Sequence, residues 1–242
     1  MNIENKAILI TGANRGIGRA LVDEALRRGV KKVYAGTRSP LEAADKRVTP
    51  VSLDVTDARQ VRQAVEQVDS LDVLINNAGI AIYDDLTDFD VIEKHLAVNF
   101  LGLLRVTHAF LPALRRSHGA IVNNLSMVGL AALPIIPAYS LSKAAAFNMT
   151  QSLRALWASQ GIRVHAVVLG PVDTDMNRGF EIPKASRESV AAGIFDGLEK
   201  DQDEIFPDPA SLSLAEDWRN GALKALEREF SAFVPAGPAN AA

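Results

Sequence analysis

The chain has 242 residues, 48% of them hydrophobic, which suits one α/β domain with a sizeable core. Its formal net charge of −3 offers nothing to a nucleic acid or an anionic membrane. It has no cysteine, which excludes disulfides, thiolate chemistry and cysteine-based metal sites.

The start, Met1-Asn2-Ile3-Glu4-Asn5-Lys6, has no basic segment followed by an apolar run, so no secretory signal is expected. Residues 6–10 read as a buried strand, and 15–28 as a helix ended by Gly29. Strands are expected over 32–37, 48–53 and 73–76, with a helix over 57–68 capped by Thr56 or Asp57. A long helix over about 88–116 carries Leu96, Phe100, Leu103, Leu104 and Leu111 at helical spacing. A strand over 120–125, a helix within 137–159 and a strand over 163–169 follow. Then come a helix over 186–200, a brief strand over 204–208 and an added helix over 214–233, charged on one side. Strands separated by helices predict a Rossmann-type doubly wound parallel sheet of about seven strands, with helices on both faces and an extra C-terminal helix. Residues 1–234 are read as a single domain, and 235–242 as a disordered tail. No apolar stretch reads as long enough to cross a bilayer, and the cytoplasm, with no membrane partner, is the expected setting. His95, His108, His118 and His165 lack a metal-ligand spacing, so no metal is expected.

Gly12, Gly16 and Gly18, with Asn14, Arg15 and Ile17 between them, lie between the first strand and its helix. Residues without Cβ let backbone N–H groups approach a pyrophosphate, and the helix start favours its charge. The second strand ends at Thr37-Arg38, without the carboxylate an NAD site uses on the ribose 2′-OH. Arg38 and Arg15 can instead pair with a 2′-phosphate, so NADP is expected. Tyr139 and Lys143 share one helical face. An ammonium beside a phenol lowers its pKa from about 10 and makes it a usable proton donor or acceptor. Ser126 follows the fifth strand, on the carboxyl edge of the sheet, where a hydroxyl can hold a carbonyl oxygen.

In order and spacing, Thr11-Gly-x-x-x-Gly-x-Gly18, Asn76-Asn77-Ala78-Gly79, Asn99, Ser126 and Tyr139-x-x-x-Lys143 resemble the short-chain dehydrogenase/reductase family over about residues 5–200. Arg15 and Thr37-Arg38 resemble its NADP-preferring, carbonyl reductase-like members. The resemblance implies that Tyr139 moves the proton and that Lys143 tunes it and holds the nicotinamide ribose. By the same resemblance, Ser126 holds the substrate oxygen and Asn99 anchors a water relaying protons from Lys143. Asn77, Ala78 and Gly79 would line the cofactor groove. Asp54 and Val55 would lie at the adenine, although Asp54 reads equally well as the start of a turn. In Leu169-Gly170-Pro171-Val172-Asp173-Thr174 the family pattern matches at Gly170, Val172 and Thr174, with proline at 171 instead of 169. Val172 and Thr174 would then contact the nicotinamide amide.

The implied function is NADPH-dependent, reversible reduction of a ketone or aldehyde. The alternatives are an NAD-linked dehydrogenase oxidising a steroid or polyol, and a non-catalytic NADP-sensing regulator, which has no need of a proton donor. The apolar segment 129–137 either lines the pocket, implying a lipophilic carbonyl substrate, or packs beneath a loop. Either a homodimer through the helices 88–116 and 137–159 or a monomer is expected, since the added C-terminal helix would stand where tetrameric members form an interface.

Overall fold

In β1 (Ala7–Thr11), Ile8 and Ile10 face one side of the chain while Ala7 and Leu9 face the other, and all four are buried. A strand with no wet face needs helices on both sides. The computed structural model describes residues 1–234, so the expected tail 235–242 lies outside the described residues. Among these residues β1 is joined by β2 (Lys32–Thr37), β3 (Val48–Ser52), β4 (Val73–Asn76), β5 (Ala120–Asn124), β6 (Arg163–Val167) and β7 (Glu204–Ile205). All pair in parallel, in the order β3-β2-β1-β4-β5-β6-β7. The doubly wound expectation holds. Its crevice lies at the carboxyl ends of β1 and β4, where the winding reverses.

The helices follow as α1 (Gly16–Arg27), α2 (Ala58–Gln67), α3 (Phe89–Leu96), α4 (Leu103–Ser117), α5 (Pro137–Trp157) and α6 (Arg187–Glu199). One core joins Leu21 of α1 and Phe195 of α6 to the Ile8 side of the sheet. The other joins Val61 of α2, Phe110 of α4 and Leu153 of α5 to the Leu9 side. Asp57 caps α2, accepting from the N–H groups of Arg59 and Gln60. Gly29, at φ +78°, ends α1 in the left-handed region that a side chain resists.

Two expectations need correction. The helix expected over 88–116 is a continuous rod, Phe89–Ser117, but its stretch Ala97–Gly102 is a π turn between α3 and α4. This rod is long and apolar enough to cross a membrane, by length and composition, although His95 and Asn99 interrupt its apolar run. In the fold both are buried and hydrogen-bonded. The single helix expected over 214–233 is divided. After α7 (Pro209–Leu212) come α8 (Ala215–Asn220) and α9 (Ala222–Ser231), parted by Gly221 in extended conformation. A Cβ on Gly221 would stand 2.5 Å from the Asp217 carbonyl oxygen, so the break requires glycine.

α9 is fastened by its polar side. The Lys224 ammonium is buried and donates to Asp203 at 3.0 Å, Glu204 at 3.1 Å and Glu227 at 3.0 Å. Arg154 of α5 reaches Glu204 at 2.8 Å and also pairs with Glu227. Burial alone would lower the pKa of Lys224, yet Glu204 keeps it above the ordinary lysine value. Burial would likewise raise Asp203, but Arg154 and Lys224 hold it below the usual carboxylate range. The anchorage is therefore lost as pH falls through the lowered Asp203 value or rises through the raised Lys224 value. Lys224→Ala leaves Glu204 buried with Arg154 as its remaining cation. It is expected to cost about 3 kcal/mol, the low end for a broken buried pair. An unchanged urea midpoint would show that the cluster contributes nothing.

Candidate active site

Gly12 at φ +68° and Gly16 at φ +55° both use left-handed backbone. A Cβ on Gly18 would stand 2.0 Å from the Gly12 carbonyl oxygen. The loop after β1 thus folds onto the first turn of α1 at a distance only glycine allows. Arg15 precedes that helix in extended conformation and makes no side-chain cap, so the first N–H groups of α1 have no side-chain acceptor from it.

Asn77 holds the loop in place. Thr11 Oγ1 accepts from the N–H groups of Asn77 and Ala78, each at 3.0 Å. Asn77 Nδ2 donates to the carbonyls of Thr11 at 3.0 Å and Gly12 at 3.3 Å. Asn124 Nδ2 donates to Asn77 Oδ1 at 2.9 Å. Asn77 is thus a connector of strand ends.

A groove of about 610 Å³ runs along these ends. Of the residues expected from sequence, Gly12, Asn14, Arg15, Gly16, Ile17, Gly18, Arg38, Asp54, Val55, Asn77, Ala78, Gly79 and Thr174 line it. Thr37 does not. It is buried, its hydroxyl donates to the Ser39 carbonyl, and Ser39 takes its place on the wall. Val172 is buried against the adjoining cavity instead. Asp54 is on the wall, but its Oδ1 accepts from Thr56 N at 2.8 Å and Thr56 Oγ1 at 2.6 Å, which makes it the start of a turn. Among the described residues Arg38 has no carboxylate partner, whereas Arg15 Nη1 pairs with Asp175 Oδ2 at 3.1 Å. The lining suits a dinucleotide: a glycine cradle, with unpaired Arg38 just beyond the β2 residue Gly36 that takes the Ala13 N–H at 3.1 Å.

The adjoining cavity, of about 260 Å³, contains Ser126 and Tyr139 in its wall and no charged side chain. Leu133 and Ile136 line it, so the apolar segment before α5 forms part of the pocket. Ser126 Oγ donates to the Leu169 carbonyl and accepts from Val128 N, both at 3.3 Å. Burial pushes the Tyr139 phenol up to about 12, against a smaller downward pull from the neighbouring Ser126 hydroxyl. Burial also brings Lys143 down to about 8. The expectation that Lys143 lowers the phenol is therefore not met in the free protein. Its ammonium donates to the Asn124 carbonyl at 2.8 Å and lies 5.7 Å from the Tyr139 ring centre, and loss of water dominates both groups.

Asn99, in the π turn, accepts from Ile80 N and donates to the Ile80 carbonyl and Ser142 Oγ, each at 2.9 Å. Both of its amide donors are therefore spent on protein partners, and Oδ1 takes the Ile80 N–H. Ser142 Oγ donates in turn to the Tyr139 carbonyl at 2.7 Å. His95 had no place in the sequence reading beyond the exclusion of a metal. Its Nε2 accepts from Ile82 N at 3.0 Å, its Nδ1 donates to the Val91 carbonyl at 2.8 Å, and its ring meets Tyr139 edge-on, centroids 6.2 Å apart. Only its position four residues before Asn99 hinted that it faces the site.

A family model described as short chain dehydrogenase matches residues 6–184. The chain is 35% identical over 189 residues to the oxidoreductase UcpA of Salmonella typhimurium, covering 72% of each. It is 33% identical over 213 residues to the 3-oxoacyl-(acyl-carrier-protein) reductase FabG of Thermotoga maritima, covering 80% of this chain and 84% of that one. A short chain dehydrogenase of Burkholderia cenocepacia, crystallised in complex with NADP, superposes with a TM-score of 0.86 at 35% identity. That match covers 95% of this chain and 98% of the other.

Because burial holds the phenol at about 12, Tyr139 stays protonated where an ordinary tyrosine ionises, near about 10. Ultraviolet titration of the free protein is expected to show no phenolate difference between wild type and Tyr139→Phe through pH about 10. A Tyr139 signal at or below that pH would refute the burial effect.

Proposed function

The chain belongs to the short chain dehydrogenase family and is an oxidoreductase acting between CH–OH and C=O groups, and within that family we propose an NADPH-dependent reductase of ketones or aldehydes with Tyr139 as proton donor. The observation that carries the reading is that Tyr139 and Ser126 share the wall of an uncharged cavity beside the groove. A protonated phenol and a hydroxyl can both hydrogen-bond one carbonyl oxygen, and the phenol can release its proton to the alkoxide. Lys143, buried in the same site, steadies the phenolate that remains.

Gly12, Gly16, Gly18 and the start of α1 would hold the pyrophosphate, and Arg38 would hold a 2′-phosphate. The bound cofactor supplies the hydride. The NADP complex of the Burkholderia cenocepacia relative supports that choice. Arg15 joins Arg38 in this role once it leaves Asp175. A cavity without charged side chains suits a neutral, lipophilic carbonyl compound. The reading extends to a homodimer through α4 and α5, beside which Leu101, Leu141 and Leu156 are exposed.

Oxidation of NADPH and NADH, followed by absorbance against a panel of ketones and aldehydes, tests the proposal. Tyr139→Phe is expected to lower kcat by about 10²–10⁴-fold. Arg38→Ala is expected to raise KM for NADPH about tenfold and leave NADH unaffected. Equal turnover by Tyr139→Phe would remove Tyr139 as the donor, and faster turnover with NADH would remove the role of Arg38.

A further inference from the structure

Tyr83 and Phe180 come from separate loops and stack, ring centroids 5.8 Å apart and planes 20° apart. Both line the cavity that holds Ser126 and Tyr139. Tyr83 is 65% exposed, so the fold gains little by burying its ring. Its backbone is nevertheless fixed on either side. Ile82 N donates to His95 at 3.0 Å, and the Asp84 carboxylate accepts from Ala138 N at 3.2 Å, in the first turn of α5. Phe180 stands on a loop closed at its base by Asp173 N to Ala185 O at 2.9 Å and Ala185 N to Pro171 O at 3.0 Å. Gly179, at φ +89° with nothing within 4 Å of its Cβ position, turns the chain just before that ring. Two braced loops therefore hold exposed Tyr83 against half-buried Phe180 at a pocket whose other walls include the thioethers of Met127 and Met176. Aromatic rings and methionine sulfur favour a flat ring beyond the area it buries.

We propose that Tyr83 and Phe180 are specificity-determining residues, and that the substrate is a neutral ketone or aldehyde bearing an aromatic ring. The proposal rests on the reductase reading above. A substrate ring extends the existing stack while its carbonyl lies toward Ser126 and Tyr139. The cavity of about 260 Å³ falls just below the usual range of ligand pockets, about 300–1,000 Å³, which suits a small ring system.

Acetophenone and cyclohexyl methyl ketone match in carbon skeleton and differ in the flat ring. The readout is how much each variant changes the ratio of their kcat/KM values, so their unequal intrinsic reactivity cancels. Tyr83→Ala and Phe180→Ala are each expected to cut the preference for acetophenone about tenfold, mainly through KM, while Tyr83→Phe keeps it. Equal losses for both ketones would overturn the proposal. Calorimetric binding of the same two ketones to the NADP-loaded protein needs no turnover. If neither ketone is reduced, the reductase reading fails for them, and the binding ratio still decides the aromatic pair. A ratio that falls in Tyr83→Ala and Phe180→Ala supports the pair, and an unmoved ratio rejects it.

Discussion

The carboxyl ends of β1, β4 and β5 are held together by one amide. Strand ends leave backbone groups that the ladder no longer pairs, and these must find other partners. Asn77 donates to two carbonyls at the end of β1 and accepts from Asn124 at the end of β5. The rest of the site depends on that junction. It sets the position of the Gly12 turn, against which α1 closes. It sets Gly79, where a Cβ would lie 3.3 Å from Asn99 Oδ1 and 3.8 Å from Lys143 Nζ. It also orients Asn124, whose carbonyl takes the Lys143 ammonium. The phosphate cradle and the proton-handling side chains are thereby referred to one origin.

A second layer of amides lies beneath. Asn76 Nδ2 donates to Thr107 Oγ1 and Asn123 Oδ1, and Asn123 Nδ2 to Thr150 Oγ1, all at 2.9 Å. Each of these groups is buried, so each bond offsets a desolvation cost that would otherwise be left standing. They tie β4 and β5 to α4 and α5, the helices that bear on the site. The opposite pKa shifts of Tyr139 and Lys143 have the same origin as this rigidity. Water is excluded, charge is disfavoured on both groups, and one well-placed carbonyl keeps the ammonium in reach.

Much of this was legible in the residues. Alternating apolar runs and helices dictate a parallel sheet, and a glycine turn followed by a helix marks the groove. The Tyr139–Lys143 spacing puts two groups on one face of α5 whatever surrounds them. What stayed hidden depends on tertiary contact. Nothing local says that Asn123 ends a buried strand with both halves of its amide bonded, or that His95 braces the Tyr83 loop. The sign of the Tyr139 shift turned on burial and on where Lys143 spends its hydrogen bond. Gly221 breaks the last helix through a close approach to Asp217, which no propensity scale contains.

The π turn at Ala97–Gly102 has a consequence for phase. In an unbroken α-helix, Asn99 and Val106, seven residues apart, would lie nearly in line, and His95 with them. All would then point toward the sheet, where Val106, Phe110 and Leu114 lie. The wider turn takes up one residue's rotation, about 100°. His95 and Asn99 face the loop after β4 and helix α5 instead. The rod thus presents two inner surfaces, one to the core and one to the site, set at an angle around a single backbone. Only 33% of its apolar window is buried, so the mean hydropathy of a membrane span comes also from apolar side chains such as Leu101 that the fold leaves outside those two surfaces.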